Sequence, residues 1–216
     1  MKRALIVAGG RIEDAFCLEY LQNNRFDHKT AVDLGLQFFY QNNLLPDRIV
    51  GDFDSIDPSV LRFFEEKEGI AWVRLIPEKD DTDTEAAVQR ILAEGYGEVH
   101  ILGATGNRLD HMLGNVGLLG LGFETDTRIF LVDSHNRVRM IQNDLTISKN
   151  EQFGKYVSLL PVTPQVSGIT LTGMKYPLSD YTMEAYHTIG ISNEIIEEEA
   201  GISFKEGTLL VLETRD

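Results

Sequence analysis

Short apolar runs alternate with amphipathic stretches over the first 133 residues of the chain. The apolar runs have the length of buried strands, and the stretches between them show the helical spacing of apolar positions. Strands that alternate with helices of this length predict crossover connections and a mostly parallel sheet. The predicted strands are 4–8, 29–33, 48–50, 71–76, 98–102 and 128–132, and the predicted helices are 12–21, 34–42, 57–68, 83–94 and 108–121.

The pattern changes after Asp133, where no stretch keeps a helical period and short β-rich segments follow one another. Gly, Pro, Asn and Asp separate these segments, as is typical of small antiparallel sandwiches. We therefore expect an α/β domain over residues 1–135, with a mostly parallel sheet and flanking helices, and an antiparallel β-sandwich over residues 136–216. The predicted strands of the second part are 138–141, 145–147, 156–160, 168–171, 181–184, 202–204 and 208–212.

The composition is that of a folded globular protein, with 43% hydrophobic and 25% charged residues in a chain of 216. A formal charge of −14 argues against a protein that binds nucleic acid or anionic membranes in general, because such proteins need clustered Lys and Arg. We expect neither a signal peptide nor a membrane span, since the apolar runs are too short. Cys17 is the only cysteine, so an intrachain disulfide is excluded and a cytoplasmic location is expected.

Acidic and glycine-bearing loops follow the predicted strands of the first domain. Ligands of parallel α/β sheets bind at the carboxyl ends of the strands. If the topology is right, the carboxylates of these loops converge on one rim of the sheet. The loops are Asp33, 51–55, 79–83, 103–111 and Asp133.

Crowded carboxylates raise one another's pKa unless a cation neutralises them, and magnesium is bound by a few carboxylates together with substrate phosphates. Asp52 and Asp54 would point to the same side of an extended segment and hold one or two ions. The alternative is a plain turn, which Asp, Gly and Ser favour. Asp83 is the preferred further ligand, although Asp80 and Asp81 would serve equally well and all three also suit a helix N-terminus.

The loop 103–111 opens a predicted helix, so its backbone amides suit phosphate oxygens. Arg108 would add a forked cation for phosphate, and His111 a hydrogen bond to phosphate or to Asp110. In the alternative interpretation Arg108 and Asp110 simply pair at a helix start. The loop has neither the P-loop nor the dinucleotide-binding glycine pattern, so the residues alone indicate a magnesium-dependent polyphosphate site without naming the substrate.

Four segments in this order and spacing resemble the thiamine pyrophosphokinase family. They are Gly51-Asp52-Phe53-Asp54-Ser55, Asp80-Asp81-Thr82-Asp83, Arg108-Leu109-Asp110-His111 and Gly190-Ile191-Ser192-Asn193. The resemblance covers nearly the whole chain. It implies transfer of a diphosphoryl group from ATP to the hydroxyl of thiamine, which yields thiamine diphosphate and AMP. It also implies a homodimer with sites between its subunits.

The resemblance further implies a role for each matching residue. Asp33, Asp54, Asp83 and Arg108 would be catalytic, and Asp33 or Asp54 would take the proton of the thiamine hydroxyl. One departure stands out, because Leu34 replaces the first glycine of the pair that the family usually has after Asp33. Magnesium would be held by Asp52, Asp54 and Asp83, and the substrates by Asp80, Thr82, Asp110, His111 and, from the partner subunit, Ser192 and Asn193.

Two other functions fit part of the pattern. Asp52-x-Asp54 resembles the nucleophile and acid of magnesium-dependent phosphohydrolases, although there the pair follows the first strand and here it follows a later one. A nucleotide-sensing module without turnover is the other alternative. The spread of acids over several strand ends argues against it, because binding alone needs fewer of them.

Overall fold

The computed structural model describes residues 1–76, 81–106 and 108–216, which form two compact units, Met1–Ser134 and His135–Asp216. The first unit is α/β and the second is all-β, so the predicted fold class is confirmed. No helix in the described part of the chain is long and apolar enough to cross a membrane.

The first unit contains six parallel strands in the spatial order β6-β5-β1-β2-β3-β4. Most side chains of the central strands β1 and β5 are apolar and buried, as expected for a parallel sheet covered by helices. The strands are β1 Arg3–Val7, β2 His28–Val32, β3 Arg48–Gly51, β4 Ala71–Arg74, β5 Glu98–Leu102 and β6 Arg128–Val132.

Five α-helices connect these strands, and α2 and α4 contact the sheet at β1 and β2. Asp57 caps α3 by accepting a hydrogen bond from the Ser59 amide over 2.7 Å, as the Asp-Pro pair predicts. The helices are α1 Asp14–Asn23, α2 Gly35–Gln41, α3 Pro58–Glu65, α4 Asp83–Ala93 and α5 Leu109–Leu118.

The last helix is shorter than predicted. It ends at Leu118, and a 3-10 helix continues over Leu119–Thr125. The reason is the glycine content of this stretch, because Gly114 and Gly117 lie in α5, and Gly120 and Gly122 follow it. Each glycine in a helix costs about 1 kcal/mol relative to alanine.

The order of the strands fixes where a ligand site can form in the first unit. After β1 the chain adds β2, β3 and β4 on one side of β1, and it then adds β5 and β6 on the other side. The direction in which strands are added therefore reverses between β1 and β5. The loops after these two strands meet there, and the Gly10 amide donates a hydrogen bond to the Gly103 carbonyl over 2.8 Å. Such a reversal opens a crevice at the carboxyl ends of the strands, which is where ligands of α/β sheets bind.

The second unit is a sandwich of two antiparallel sheets with the strand orders β12-β9-β14-β7 and β11-β10-β13-β8. Apolar side chains from both sheets, including Leu159 and Ile169, form its core. The strands are β7 Asn136–Ile141, β8 Leu145–Ser148, β9 Tyr156–Pro161, β10 Gln165–Thr172, β11 Leu178–Glu184, β12 Asn193–Glu194, β13 Glu199–Ser203 and β14 Leu209–Thr214. The sequence pattern missed the two-residue strand β12.

Candidate active site

Asp33 follows β2 and adopts the left-handed backbone conformation, with φ +46°. Its amide donates to the Val50 carbonyl over 3.0 Å, which ties the residue to the end of β3. Its carboxylate lies directly against Gly51, where the Cβ of any other residue would collide with it. Few non-glycine residues adopt this conformation, and they cluster at functional sites. Gly51 therefore provides the space in which the Asp33 side chain is held.

The segment after β3 is a turn, so the prediction that Asp52 and Asp54 share one side of an extended segment is wrong. Phe53 has φ +69°, and the Asp54 amide donates to Asp52 Oδ1 over 3.0 Å, which closes the turn. The Phe53 ring is buried and packs edge-on against Trp72, with 5.5 Å between ring centroids. This packing fixes the turn. Asp52 lines the cavity described below, whereas Asp54 is exposed and is not among its lining residues.

Asp83 is the first residue of helix α4, and Thr82 caps that helix. The Thr82 hydroxyl accepts a hydrogen bond from the Glu85 amide over 3.1 Å, which is one half of the capping box expected from the sequence. The cap places Thr82 and Asp83 at the cavity. The candidate ligand Asp80 lies outside the described residues.

The loop after β5 is held by three side-chain and backbone contacts. Besides the bond between Gly10 and Gly103, the Thr105 hydroxyl donates to Asp133 Oδ2 over 2.6 Å. Asn115 Nδ2 donates to the Ala104 carbonyl over 2.8 Å. The glycine-bearing loop is therefore tied to the loop after β1, to the end of β6 and to helix α5.

Arg108 and Asp110 form a forked ion pair at the start of α5. Arg108 donates from Nε to Asp110 Oδ1 over 3.1 Å and from the guanidinium to Oδ2 over 2.5 Å. The hydrogen bond from Arg108 and the one from the His111 amide lower the pKa of Asp110 to about 2. The ion pair between Arg108 and Asp110, which was one of the two interpretations of the sequence, is present, and both side chains are exposed. Arg108 and His111 nevertheless line the cavity, so the pair holds the arginine at its rim.

A cavity of about 430 Å³ collects most of the predicted residues of the first unit. Three carboxylates, one guanidinium and two glycine-bearing loops contribute to its wall. Of the predicted residues, Asp54 and Asp110 are not among those that line it, and Ser192 and Asn193 belong to the second unit. The predicted residues that line it are Asp33, Asp52, Thr82, Asp83, Arg108 and His111.

The donor set of this cavity suits magnesium, because carboxylate oxygens are the ligands that this ion takes from proteins. Asp52 and Asp83, two of the three predicted magnesium ligands, line the cavity. Within the described residues no three His, Cys, Asp or Glu side chains stand close enough to hold an ion by themselves.

In the second unit, Asn193 has a structural role that the sequence did not show. Its buried side chain accepts from the Tyr176 amide over 2.9 Å and donates to the Tyr176 carbonyl over 2.8 Å. It thereby holds the segment beside β12. Ser192 has φ +58° and is exposed, and its amide donates to Ser158 Oγ over 2.9 Å.

Several cavity residues were not predicted from the sequence. Asn115 lies seven positions after Arg108 and four after His111, which places the three on one helix face. This spacing could have indicated from the sequence that Asn115 belongs to the site. Leu34 and Ile56 are apolar and gave no chemical signal. The others that were not predicted are Ala8, Gly9, Gly10 and Thr84, whereas Ser55, Gly103, Ala104 and Gly106 belong to loops that the sequence placed at this rim.

Comparison with known proteins identifies the family. A family model described as thiamin pyrophosphokinase, catalytic domain, matches residues 18–131, and one described as its vitamin B1 binding domain matches residues 142–209. The thiamine pyrophosphokinase of Bacillus subtilis is 35% identical over 187 residues, which are 86% of this chain and 86% of that protein.

Solved structures agree with this match. The crystal structure of the Bacillus subtilis enzyme aligns over 100% of both chains with a TM-score of 0.89 and 32% identity. The thiamin pyrophosphokinase of Geobacillus thermodenitrificans aligns over 99% of this chain and 98% of its own, with a TM-score of 0.86 and 32% identity. The chain belongs to the thiamin pyrophosphokinase family.

Proposed function

We propose that the acidic cavity of the first unit is where the chain carries out the reaction of its family. That reaction transfers a diphosphoryl group from ATP to the hydroxyl of thiamine and yields thiamine diphosphate and AMP. The observation that carries the assignment is the convergence of Asp33, Asp52, Asp83 and Arg108 on one cavity from four separate loops. Thiamine carries a permanent positive charge, which this anionic wall attracts.

The nucleotide phosphates would bind at the glycine-bearing loop, because Gly103 and Gly106 allow backbone to approach them and Arg108 supplies a forked cation. Asp52 and Asp83 would hold magnesium, which when bound neutralises phosphate charge beside these carboxylates. Phosphoryl transfer depends chiefly on positioning and on stabilisation of charge. The fixed loops supply the positioning, and Arg108 stabilises charge on the phosphates.

Asp33 is the better candidate to accept the proton of the thiamine hydroxyl. It lines the cavity, and its backbone is fixed between Val50 and the start of α2. Asp54 is exposed on the far part of its turn and is not among the cavity residues. A general base must lie within hydrogen-bond reach of the proton that it takes. Asp54 remains a proposed metal ligand only if its turn rearranges when substrates bind.

We further propose a cytoplasmic homodimer in which the second unit contributes to thiamine binding from the partner subunit. Ser192 is the exposed candidate for that contact, and Asn193 would maintain the geometry around it. A reduced, buried Cys17 is consistent with the cytoplasm.

The test is incubation of the protein with ATP, magnesium and thiamine, followed by chromatography of the nucleotides and thiamine esters. The proposal predicts AMP and thiamine diphosphate in equal amounts. ADP with thiamine monophosphate would refute diphosphoryl transfer, and inorganic phosphate released without a thiamine ester would favour a phosphohydrolase. A reaction without magnesium is the control, and it should give neither product.

A further inference from the structure

Leu34 is an exposed apolar side chain among the residues that line the cavity. Its exposed fraction is 47%, whereas Ile56, the other large apolar residue among those described to line the cavity, is 6% exposed. A single exposed leucine on a protein surface needs no explanation. Here it stands beside Asp33 and Asp52 at the end of the sheet where ligands bind, so it offers apolar contact area to a ligand.

The backbone around Leu34 is fixed. Asp33 precedes it in the left-handed conformation, and Gly35 follows it so close to the Val7 carbonyl that a Cβ would collide there. The Leu34 carbonyl accepts a hydrogen bond from the Gln37 amide over 3.0 Å in the first turn of α2. A Cβ built on Gly9 would lie 3.1 Å from the Leu34 Cβ. The backbone of Leu34 is therefore fixed beside the glycine loop after β1.

The charges around Leu34 indicate which ligand it contacts. Leu34, Asp33 and Asp52 follow β2 and β3 on one side of β1 in the sheet, whereas the loop 103–106 and Arg108 follow β5 on the other side. A ring that carries positive charge and has apolar faces fits a leucine flanked by carboxylates. A triphosphate would be repelled by Asp33, which is not one of the proposed magnesium ligands.

We propose that Leu34 is a specificity-determining residue that packs against the cationic thiazolium ring of thiamine while Asp33 balances its charge. The inference rests on the proposed function and adds to it the residue that selects the acceptor substrate. A leucine that a ligand buries loses apolar contact with that ligand when its side chain is shortened. Removing it should therefore weaken thiamine binding and leave nucleotide binding almost unchanged.

The test compares steady-state kinetics of Leu34→Ala, Leu34→Met and Leu34→Asn with those of Leu45→Ala. Leu45 is a matched control because it is 49% exposed and is not among the residues that line the cavity. We expect Leu34→Ala and Leu34→Asn to raise the KM for thiamine roughly five- to tenfold. The KM for ATP should change less than twofold in all Leu34 variants, and both KM values should change less than twofold in Leu45→Ala. Leu34→Met keeps apolar contact area and should raise the KM for thiamine less than Leu34→Ala does. Calorimetry with thiamine should show weaker binding for Leu34→Ala and Leu34→Asn than for the wild type and Leu45→Ala.

Two results would overturn the inference while leaving the proposed function intact. One is an active wild-type enzyme whose Leu34 variants keep the wild-type KM for thiamine. The other is a rise in the KM for ATP instead, which would place Leu34 against the nucleotide. Absence of thiamine diphosphate from the wild-type reaction would overturn the proposed function itself, and this inference with it.

Discussion

The Thr105 hydroxyl donates a hydrogen bond to Asp133 Oδ2 over 2.6 Å and so joins the loop after β5 to the end of β6. Asn115 holds the neighbouring carbonyl of Ala104 from helix α5. The proposed phosphate-binding loop is therefore ordered before a nucleotide arrives. Ordering a loop in advance lowers the entropic cost of binding.

Thr105→Val should raise the KM for ATP roughly tenfold, because a hydrogen bond to a charged acceptor contributes about 1.5–3 kcal/mol and the loop would lose this anchor. Thr105→Ser keeps the hydroxyl and is the control, for which we expect a KM within threefold of the wild type. Steady-state kinetics measures both. A wild-type KM for ATP in Thr105→Val would show that the bond does not order the nucleotide site.

Asp52→Asn and Asp83→Asn should each lower kcat roughly a hundredfold or more, since groups that stabilise transition-state charge contribute on that scale. Circular dichroism should show an unchanged fold, because neither residue belongs to the buried core. Raised magnesium should restore part of the lost rate. Full activity in either variant would remove that residue from the site.

Asp54→Asn distinguishes the two interpretations of the turn after β3. If the exposed side chain stays outside the cavity, kcat should remain within about threefold of the wild type, as for other surface substitutions. A loss of several orders of magnitude would mean that the turn rearranges with substrates and brings Asp54 to the metal. Measurement of kcat, as for Asp52→Asn, decides between the two interpretations of the turn.

Asp110→Asn should weaken nucleotide binding, because it removes the carboxylate that holds the Arg108 guanidinium in place. The pKa of Asp110 is lowered to about 2, chiefly by its hydrogen bond from Arg108, so the carboxylate stays ionised over the whole working range of pH. We expect a severalfold higher KM for ATP at every pH between 6 and 9, with no new ionisation in the pH profile. A variant whose KM differs from the wild type only at one end of this range would contradict the account.

Glu98 should make the stability of the first unit sensitive to acid. Burial raises its pKa, but the hydrogen bond and charge of His100 and the charges of Arg128 and Arg3 outweigh burial and lower the pKa to about 2. A carboxyl with a lowered pKa stabilises the fold above its unfolded value of 4.5, and this stability is lost as pH falls toward 2.

Urea unfolding of the wild type and of Glu98→Gln measures this contribution. At pH 7 the variant should be less stable by roughly 2 kcal/mol, the scale of a hydrogen bond to a charged group. The difference should shrink as pH falls from about 4.5 toward 2. If the difference in unfolding free energy between wild type and Glu98→Gln stays constant over this range, the charge of Glu98 contributes nothing to stability.

Elements with strong local signals were predicted well from the sequence. Strands β5 and β6 were predicted at their observed bounds, because each contains several apolar β-forming residues within a short segment. The capping residues Asp57 and Thr82 were also recognisable, since their hydrogen bonds are local. The family itself came from the order of motifs rather than from any one of them.

The parts that were missed depend on contacts between distant residues. The turn at Asp52 exists because the Phe53 ring packs on Trp72, nineteen positions later. The place of Asp33 depends on the space beside Gly51. Asp133 was recognised as a residue at a strand end, but its bond to Thr105 spans 28 positions. Periodicity and spacing report none of these contacts.

Anomalous diffraction from crystals grown with Mn²⁺, AMP and thiamine tests the central claim most directly, because it locates the metal ion itself. The account predicts an anomalous peak within coordination distance of the Asp52 and Asp83 carboxylates, with the AMP phosphate beside the Gly103–Gly106 loop. A metal and nucleotide bound together at any other place in the molecule would contradict it.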